Sequence, residues 1–334
     1  MSYKRLETDD IVISAESVTS PAWSNNLVTL AASGMVTSST QAQATSGDYY
    51  LQVWNGSPSV NTSELQFNIA YADKQGSGSL WIDQGISHVS PTKTVYRQYR
   101  NLIKGDEESE ILFGGVAADY FHVISLERSR YKEKLLPGTF ELVLGNTGSI
   151  TLIDSSPYVT TQTFTDAGRE YDLYKKDGST YSASLANTGS WGKLLPDVGL
   201  ILLNSKMLAA PTNAQGGIAL GVTRTSNSDA ENALPLYEAL KAGNSFKVTS
   251  EETVSSNFVF IRARNSEFNY STNPSLITGS GELRHSVMIE QPQSFITTIG
   301  LYNDANDLLA VAKLSRPLVK DFTKEALVRI KLDY

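Results

Sequence analysis

The residues Leu327-Val-Arg-Ile-Lys-Leu-Asp-Tyr334 constrain the fold more than any other stretch of the sequence. Strict alternation puts Val328, Ile330, Leu332 and Tyr334 on one side of a strand and Arg329, Lys331 and Asp333 on the other. A slip of one residue would bury charge, so the register is strongly specified. The chain is therefore expected to end inside a sheet. Just upstream, residues 296–314 read as a hairpin, because apolar β-formers flank Asn303, Asp304, Asn306 and Asp307, whose side chains favour turns.

The same signals recur along the chain. Tyr50-Leu-Gln-Val-Trp54, Leu65-Gln-Phe-Asn-Ile-Ala-Tyr71 and Leu80-Trp-Ile82 alternate and suggest a small antiparallel unit. Strands are expected at 121–126, 140–144 and 150–153, separated by Leu136-Pro-Gly138 and Asn146-Thr-Gly148. Lys176-Asp-Gly178 marks a hairpin between 171–174 and 180–181, and Leu200-Ile-Leu-Leu203 is a buried strand by its continuous apolarity. Phe246-Lys-Val248 and 258–262 also read as strands, and 205–228 as loop. Helices are expected over 94–104, from the spacing of Val95, Tyr99, Leu102 and Ile103, and over 230–242, with Pro235 near its start and Gly243 at its end.

The fold class is thus mainly β, with antiparallel, sandwich-like sheets and a few short helices. Four segments are expected. Residues 1–47, polar and poor in periodic apolar residues, suggest an extended arm that Ile11-Val-Ile13, Trp23 and Leu27-Val-Thr-Leu30 could anchor on a partner. A β-rich domain with one helix follows over 48–157, then an insertion or second subdomain over 158–245. A C-terminal β domain, 246–334, stands alone or completes the sheet of 48–157.

Composition narrows the chemistry. There is no cysteine, which removes disulfides, thiolate metal sites and a cysteine nucleophile. The net charge of −7 and the dispersed basic residues argue against sequence-independent nucleic-acid binding. The densest basic run, Glu127-Arg-Ser-Arg-Tyr-Lys-Glu-Lys134, is interleaved with acids and reads as a solvated sheet face. No segment approaches the ~20 consecutive apolar residues of a membrane helix, and the N-terminus does not resemble a signal peptide.

Catalytic motifs are missing. His88, His122 and His285 are each isolated, and His122 lies within an alternating strand. No nucleophile elbow, phosphate loop or dinucleotide fingerprint occurs, and Gly114-Gly115 and Gly279-Ser-Gly281 read as turns. The acidic run 106–110 lacks the ligand spacing of a calcium loop. Among 35 acidic residues, neighbours such as Asp9-Asp10, Glu251-Glu252 and Asp304/Asp307 arise from composition alone. What remains is surface. Trp23, Tyr96, Tyr99 and Arg100 are candidate interface residues, as are Phe268 and Tyr270 in Phe268-Asn-Tyr-Ser-Thr-Asn-Pro-Ser275, a contact loop unless its aromatics fill the core.

Four blocks carry a family resemblance. They are TVYRQYRNLI (94–103), FHVISLERSRYKEKLLPGTFELVLG (121–145), EFNYSTNPSLITGSGEL (267–283) and the segment from Thr298 to the C-terminus, TIGLYNDANDLLAVAKLSRPLVKDFTKEALVRIKLDY. Together they resemble baseplate-region virion proteins of T4-like contractile-tailed phages, especially of the marine and cyanobacterial-host group. The GLY, D and L.AV core is also similar to strings in phage tail-fibre proteins generally.

The resemblance implies a non-enzymatic baseplate wedge subunit without a cofactor, made in the host cytoplasm and built into the virion. Its implied partners are other tail proteins and further copies of itself, in a dimer or a symmetric ring, with no nucleic acid and no membrane span. Its implied role is to hold neighbours in register and relay the rearrangement that triggers sheath contraction. A tail-fibre or receptor-binding adaptor is the first alternative. A virion-associated glycan hydrolase, which would need two positioned carboxylates, is the second.

Overall fold

The computed structural model describes residues 3–42, 50–76, 92–177, 180–182, 184–185, 189–211, 216–224, 229–271 and 273–333. The expected strand at 80–82, His88, Gly178, Thr272 and Tyr334 lie outside these residues.

The chain is mainly β, with antiparallel sheets and short helices, as expected. Its principal strands are β1 (Ile11–Pro21), β2 (Thr29–Leu30), β3 (Leu51–Trp54), β4 (Leu65–Asp73), β5 (Tyr120–Leu126), β6 (Glu141–Gly145), β7 (Ser149–Asp154) and β8 (Gly168–Asp177). They continue with β9 (Gly192–Leu195), β10 (Leu200–Leu203), β11 (Phe246–Lys247), β12 (Thr249–Ala263), β13 (Gln293–Tyr302), β14 (Leu308–Asp321) and β15 (Ala326–Asp333). The principal helices are α1 (Thr92–Lys104), α2 (Ser205–Ala209) and α3 (Asp229–Gly243).

Two compact units result: Met1–Ser17 with Thr253–Tyr334, and Val18–Glu252. These divisions differ from the expected boundaries near 47, 157 and 245. Strands, not linkers, carry the chain from one unit to the other, so no change in composition marks the passage.

In the larger unit the main sheet runs β2-β11-β6-β7-β8-β9-β10-β5-β4-β3. The hairpin expected around Lys176-Asp177 forms, with Asp177 opposite Thr180. Leu200–Leu203 is apolar throughout because the sheet is buried on both faces there. Ile201 and Leu203 join one core with Phe67, Ile69, Ile124 and Leu194. Leu200 and Leu202 join a second core with Phe121, Val123 and Leu195, covered by Tyr96 and Ile103 of α1.

The larger core draws the two ends of the sheet together. Phe67 on β4 and Phe246 on β11 lie 5.5 Å apart between ring centroids, although seven places separate their strands. Trp23 fills the junction, 4.8 Å from Phe246 and 6.1 Å from Phe67, each edge-on. Its indole N–H is shared between the carbonyls of Phe246 (3.0 Å) and Val28 (3.1 Å). Helix α3 packs against β6, β4 and β3, burying Ala233, Leu236, Tyr237, Ala239 and Leu240. Gly243 ends that helix so close to β6 that an added Cβ would lie 2.0 Å from the Val143 carbonyl oxygen.

These contacts correct the reading of 1–47 as an arm. Ala22, Trp23, Leu30 and Met35 belong to the chain's own core, and β1 pairs with β12 of the same chain. Apolar residues spaced irregularly in sequence meet because a turn, the short strand β2 and a 3-10 turn at Ala32–Gly34 fold them onto one surface. Three smaller expectations also change. Residues 205–209 are helical, capped by the Asn204 side chain, which accepts from the Met207 N–H at 3.3 Å. Pro235 lies inside α3, which begins at Asp229. The basic run at 128–130 is a turn of 3-10 helix, with Arg128 over the Tyr131 ring at 4.6 Å.

In the smaller unit β12 pairs with β15 from Ser256↔Asp333 to Ala263↔Ala326. The expected alternation holds: Ile330 is buried, Val328 and Leu332 half-buried, and Arg329, Lys331 and Asp333 exposed. The expected hairpin also forms, β13 against β14. Its turn is closed by Asn303 and Asp307, whose N–H donates to the Asn303 Oδ1 at 2.7 Å, with Asn306 left-handed at φ 66°.

Replacing Trp23 with alanine tests whether this residue holds the larger unit together. The expected loss is about 3–5 kcal/mol of stability, read by denaturant unfolding. An unchanged midpoint would show that the junction does not depend on it.

Candidate functional site

Two kinds of feature could carry function: clusters of polar side chains in the larger unit, and apolar side chains left at the surface of the smaller one.

The most enclosed polar cluster joins β5 to the helices. His122 is fully buried; its Nδ1 lies 2.7 Å from the Ser205 Oγ and its Nε2 2.9 Å from the Asn232 carbonyl. A neutral ring satisfies both, with Nε2–H donating to the carbonyl and Nδ1 accepting from the hydroxyl. Burial pushes the imidazole pKa down from 6.5 to about 4. The arrangement has the partners of a nucleophilic pair but not its geometry, because a backbone carbonyl occupies the far nitrogen and Ser205 is fully buried.

A second cluster surrounds Asp73, fully buried at the end of β4. Arg224 grips it with two hydrogen bonds of 2.7 and 2.9 Å, the Tyr71 hydroxyl donates at 3.1 Å, and the Gln75 N–H donates at 2.8 Å. The guanidinium stacks on the Tyr120 ring at 4.4 Å. Burial, and then the Asp73 charge, push the Tyr71 phenol far above its ordinary range. Beside this pair opens a cavity of about 220 Å³ lined by Asp119, Tyr120, Asn204, Lys206, Arg224 and the 113–118 turn. Its charges are of both signs and Arg224 is already committed to Asp73, so it presents no convergent set of ligands.

The third cluster lies on β8 and β9. Lys193 bonds Glu170, both nearly buried, and reaches Asp172 at 3.5 Å. Nearby, Arg169 holds Asp197 with contacts of 2.6 and 3.0 Å. Burial acts to raise the Asp197 pKa, but the hydrogen bonds from Arg169 hold it below the usual carboxylate range. Lys193 neutralises both carboxylates but leaves the Glu170 Oε2 buried without a hydrogen-bond partner, and neither Glu170 nor Asp172 lines the cavity described above. The acidic run 106–110 is exposed, and no group of three or more metal-ligating side chains occurs among the described residues.

The candidate interface residues fare differently. Trp23 and Tyr96 are each 2% exposed and are core residues, which corrects their assignment to an interface. The Tyr96 hydroxyl donates to the Ala118 carbonyl at 2.9 Å, so its polar end needs no partner outside the chain. Tyr99 is half-buried against the second core and Arg100 is half-buried beside it on α1. Phe268 is half-buried, left-handed at φ 56°, and its carbonyl accepts from the Ser294 hydroxyl. Tyr270, by contrast, is 72% exposed.

The smaller unit also exposes residues that sequence reasoning did not single out. Phe295, Tyr302, Leu308, Leu309 and Val311 on the hairpin are all exposed, as are Ile13, Ile289 and Phe322. Alternation predicts a half-buried hairpin, but nothing in the sequence shows that so much of its apolar surface stays uncovered. One buried charge ties the hairpin to the loop that carries Tyr270. Lys320, fully buried on β14, donates to the Asn269 Oδ1 (2.7 Å) and to the carbonyls of Asp321 (2.8 Å) and Asn265 (3.1 Å). Three protons meet three oxygens.

Comparison of the chain with family models, with curated proteins and with solved structures returned no match.

Two outcomes follow from these clusters. Because His122 protonates less readily in the folded chain than in the unfolded one, stability is complete above pH 6.5 and declines as pH falls from there to about 4. The decline from this group is roughly 3 kcal/mol, and His122→Asn should flatten it in unfolding curves taken across that range; identical pH profiles for both chains would remove His122 as the cause. Lys320→Met strands three buried oxygens at a cost of about 2–4 kcal/mol. Hydrogen exchange across β13 and β14 should accelerate accordingly, and unchanged exchange would deny the lysine its role.

Proposed function

We propose that this chain is a non-enzymatic structural component of a contractile phage tail, a baseplate wedge subunit that holds neighbouring tail proteins and relays the rearrangement triggering contraction. One observation carries the reading: the smaller unit exposes apolar side chains along a hairpin whose outer edges are unpaired among the described residues. Large apolar side chains left exposed in such number on one hairpin mark a site where another protein sits. The same unit contains the blocks 267–283 and 298–334, which resemble baseplate-region proteins.

The polar clusters support the structural reading over the hydrolytic alternative. His122 and Asp73 spend their hydrogen-bonding capacity inside the chain, and Glu170 is held by Lys193 away from the cavity. No helix among the described residues is long and apolar enough to cross a membrane.

Asymmetric electron microscopy of an intact tail tests the proposal. Density for the chain at the baseplate, between neighbouring proteins, is the expected result. Density at a fibre tip would favour the receptor-binding adaptor, and turnover of cell-wall or capsule polysaccharide by the purified chain would favour the hydrolase.

A further inference from the structure

Four strands of the smaller unit have a side left unpaired among the described residues: β1, β13, β14 and β15. Natural edge strands are usually protected by charge, proline or a bulge. Three of these four are. β1 carries Glu16 and Pro21; β15 carries Arg329, Lys331 and Asp333; β14 carries Lys313, Arg316, Pro317 and Lys320. On β14 the ladder also breaks, jumping from Ile296↔Leu318 to Thr298↔Lys313 and leaving Leu314 to Pro317 out of register. β13 lacks charge and proline, and skips only Thr297 at that break. Its sequence, Gln-Ser-Phe-Ile-Thr-Thr-Ile-Gly-Leu-Tyr, is rich in β-branched and aromatic residues, and leaves Phe295 and Tyr302 exposed.

We propose that β13 pairs antiparallel with β13 of a second copy of this chain, joining two hairpins into one four-stranded sheet. Charge selects this occupant. An uncharged strand meets its own copy in any register without opposing like charges, whereas β14 against β14 would set Lys313 and Arg316 of two copies near one another. Symmetry points the same way. β13 on β14 of the next copy would leave an edge open at each end and grow into a filament, but β13 on β13 is two-fold and closed, with the guarded β14 edges outside. The pairing deepens the assembly reading above, and rests on it only for its setting.

Sedimentation of the full chain should show a dimer. Thr298→Glu is the informative variant, because Thr298 is exposed and lies opposite Lys313 within its own hairpin. With the two-fold axis at Thr298, a register that pairs residues 294–302 of the two copies, the new carboxylate suits its own hairpin yet meets its like across the contact, so self-association should weaken about tenfold or more while circular dichroism and thermal unfolding are retained. The cysteine-free sequence permits a second approach. Thr298→Cys should yield an oxidised covalent dimer in this register, and Thr297→Cys in the one centred on Thr297, since facing residues in an antiparallel pair lie within disulfide reach.

A monomer at every concentration measured overturns the proposal. So does a dimer indifferent to Thr298→Glu that forms no disulfide at either position. A monomeric chain that still locates to the baseplate would defeat this pairing alone, and a β13-dependent dimer absent from the tail would defeat the baseplate reading alone.

Discussion

The larger unit depends on the meeting of Trp23, Phe67 and Phe246. An open sheet of twelve strands, ten of them in one continuous order, leaves its terminal strands with uncovered faces and edges, and this one removes the problem by curling until the strands near its ends share a core. Trp23 supplies the volume at the junction, and its N–H satisfies a carbonyl of β11 that the curl would otherwise bury unpaired. Helix α3 follows from the same geometry. It packs on strands from both ends, β6 as well as β4 and β3, and buries Ala233, Leu236, Tyr237 and Leu240, whose spacing puts them on one face.

The two units treat polar and apolar groups in opposite ways. The larger one holds buried charge against opposite charge, as with Arg224 on Asp73 and Lys193 on Glu170, or against backbone N–H groups, as with Asp154, and its paired His122 stays neutral. Such clusters specify which surfaces meet, since a slipped arrangement would leave a buried charge alone. The smaller unit spends its one deeply buried ammonium, that of Lys320, on anchoring a hairpin to a loop, and leaves much of that hairpin's apolar surface outside. A hairpin without a covering layer gains little from burial. Its order in isolation rests on that clasp, on the Asn303–Asp307 turn and, under the pairing proposed here, on a second copy.

Much of the local structure was legible in the sequence. Period-two alternation located β3, β4, β13 and β15, Asn and Asp located the hairpin turn, and three-to-four spacing located α1. The continuous apolar run at Leu200–Leu203 announced a strand buried on both faces before either covering layer was known. These features are readable because they follow from the backbone and from neighbours within a few residues.

Tertiary structure decided what depends on residues distant in the chain. Trp23 and Tyr96 are aromatic residues in polar surroundings by sequence, and only the folding of 22–35 onto β11, and of α1 onto β5, makes them core. The unit boundaries fall inside β1 and β12, where composition does not change, so no linker signal could mark them. His122, Ser205 and Asn232 lie far apart in sequence and form one site because a strand and two helices converge. The exposure of β13 is likewise a property of what fails to cover it. Alternation states which side chains share a face, and only the packing of the other elements settles whether that face meets the chain's own core or remains at its surface.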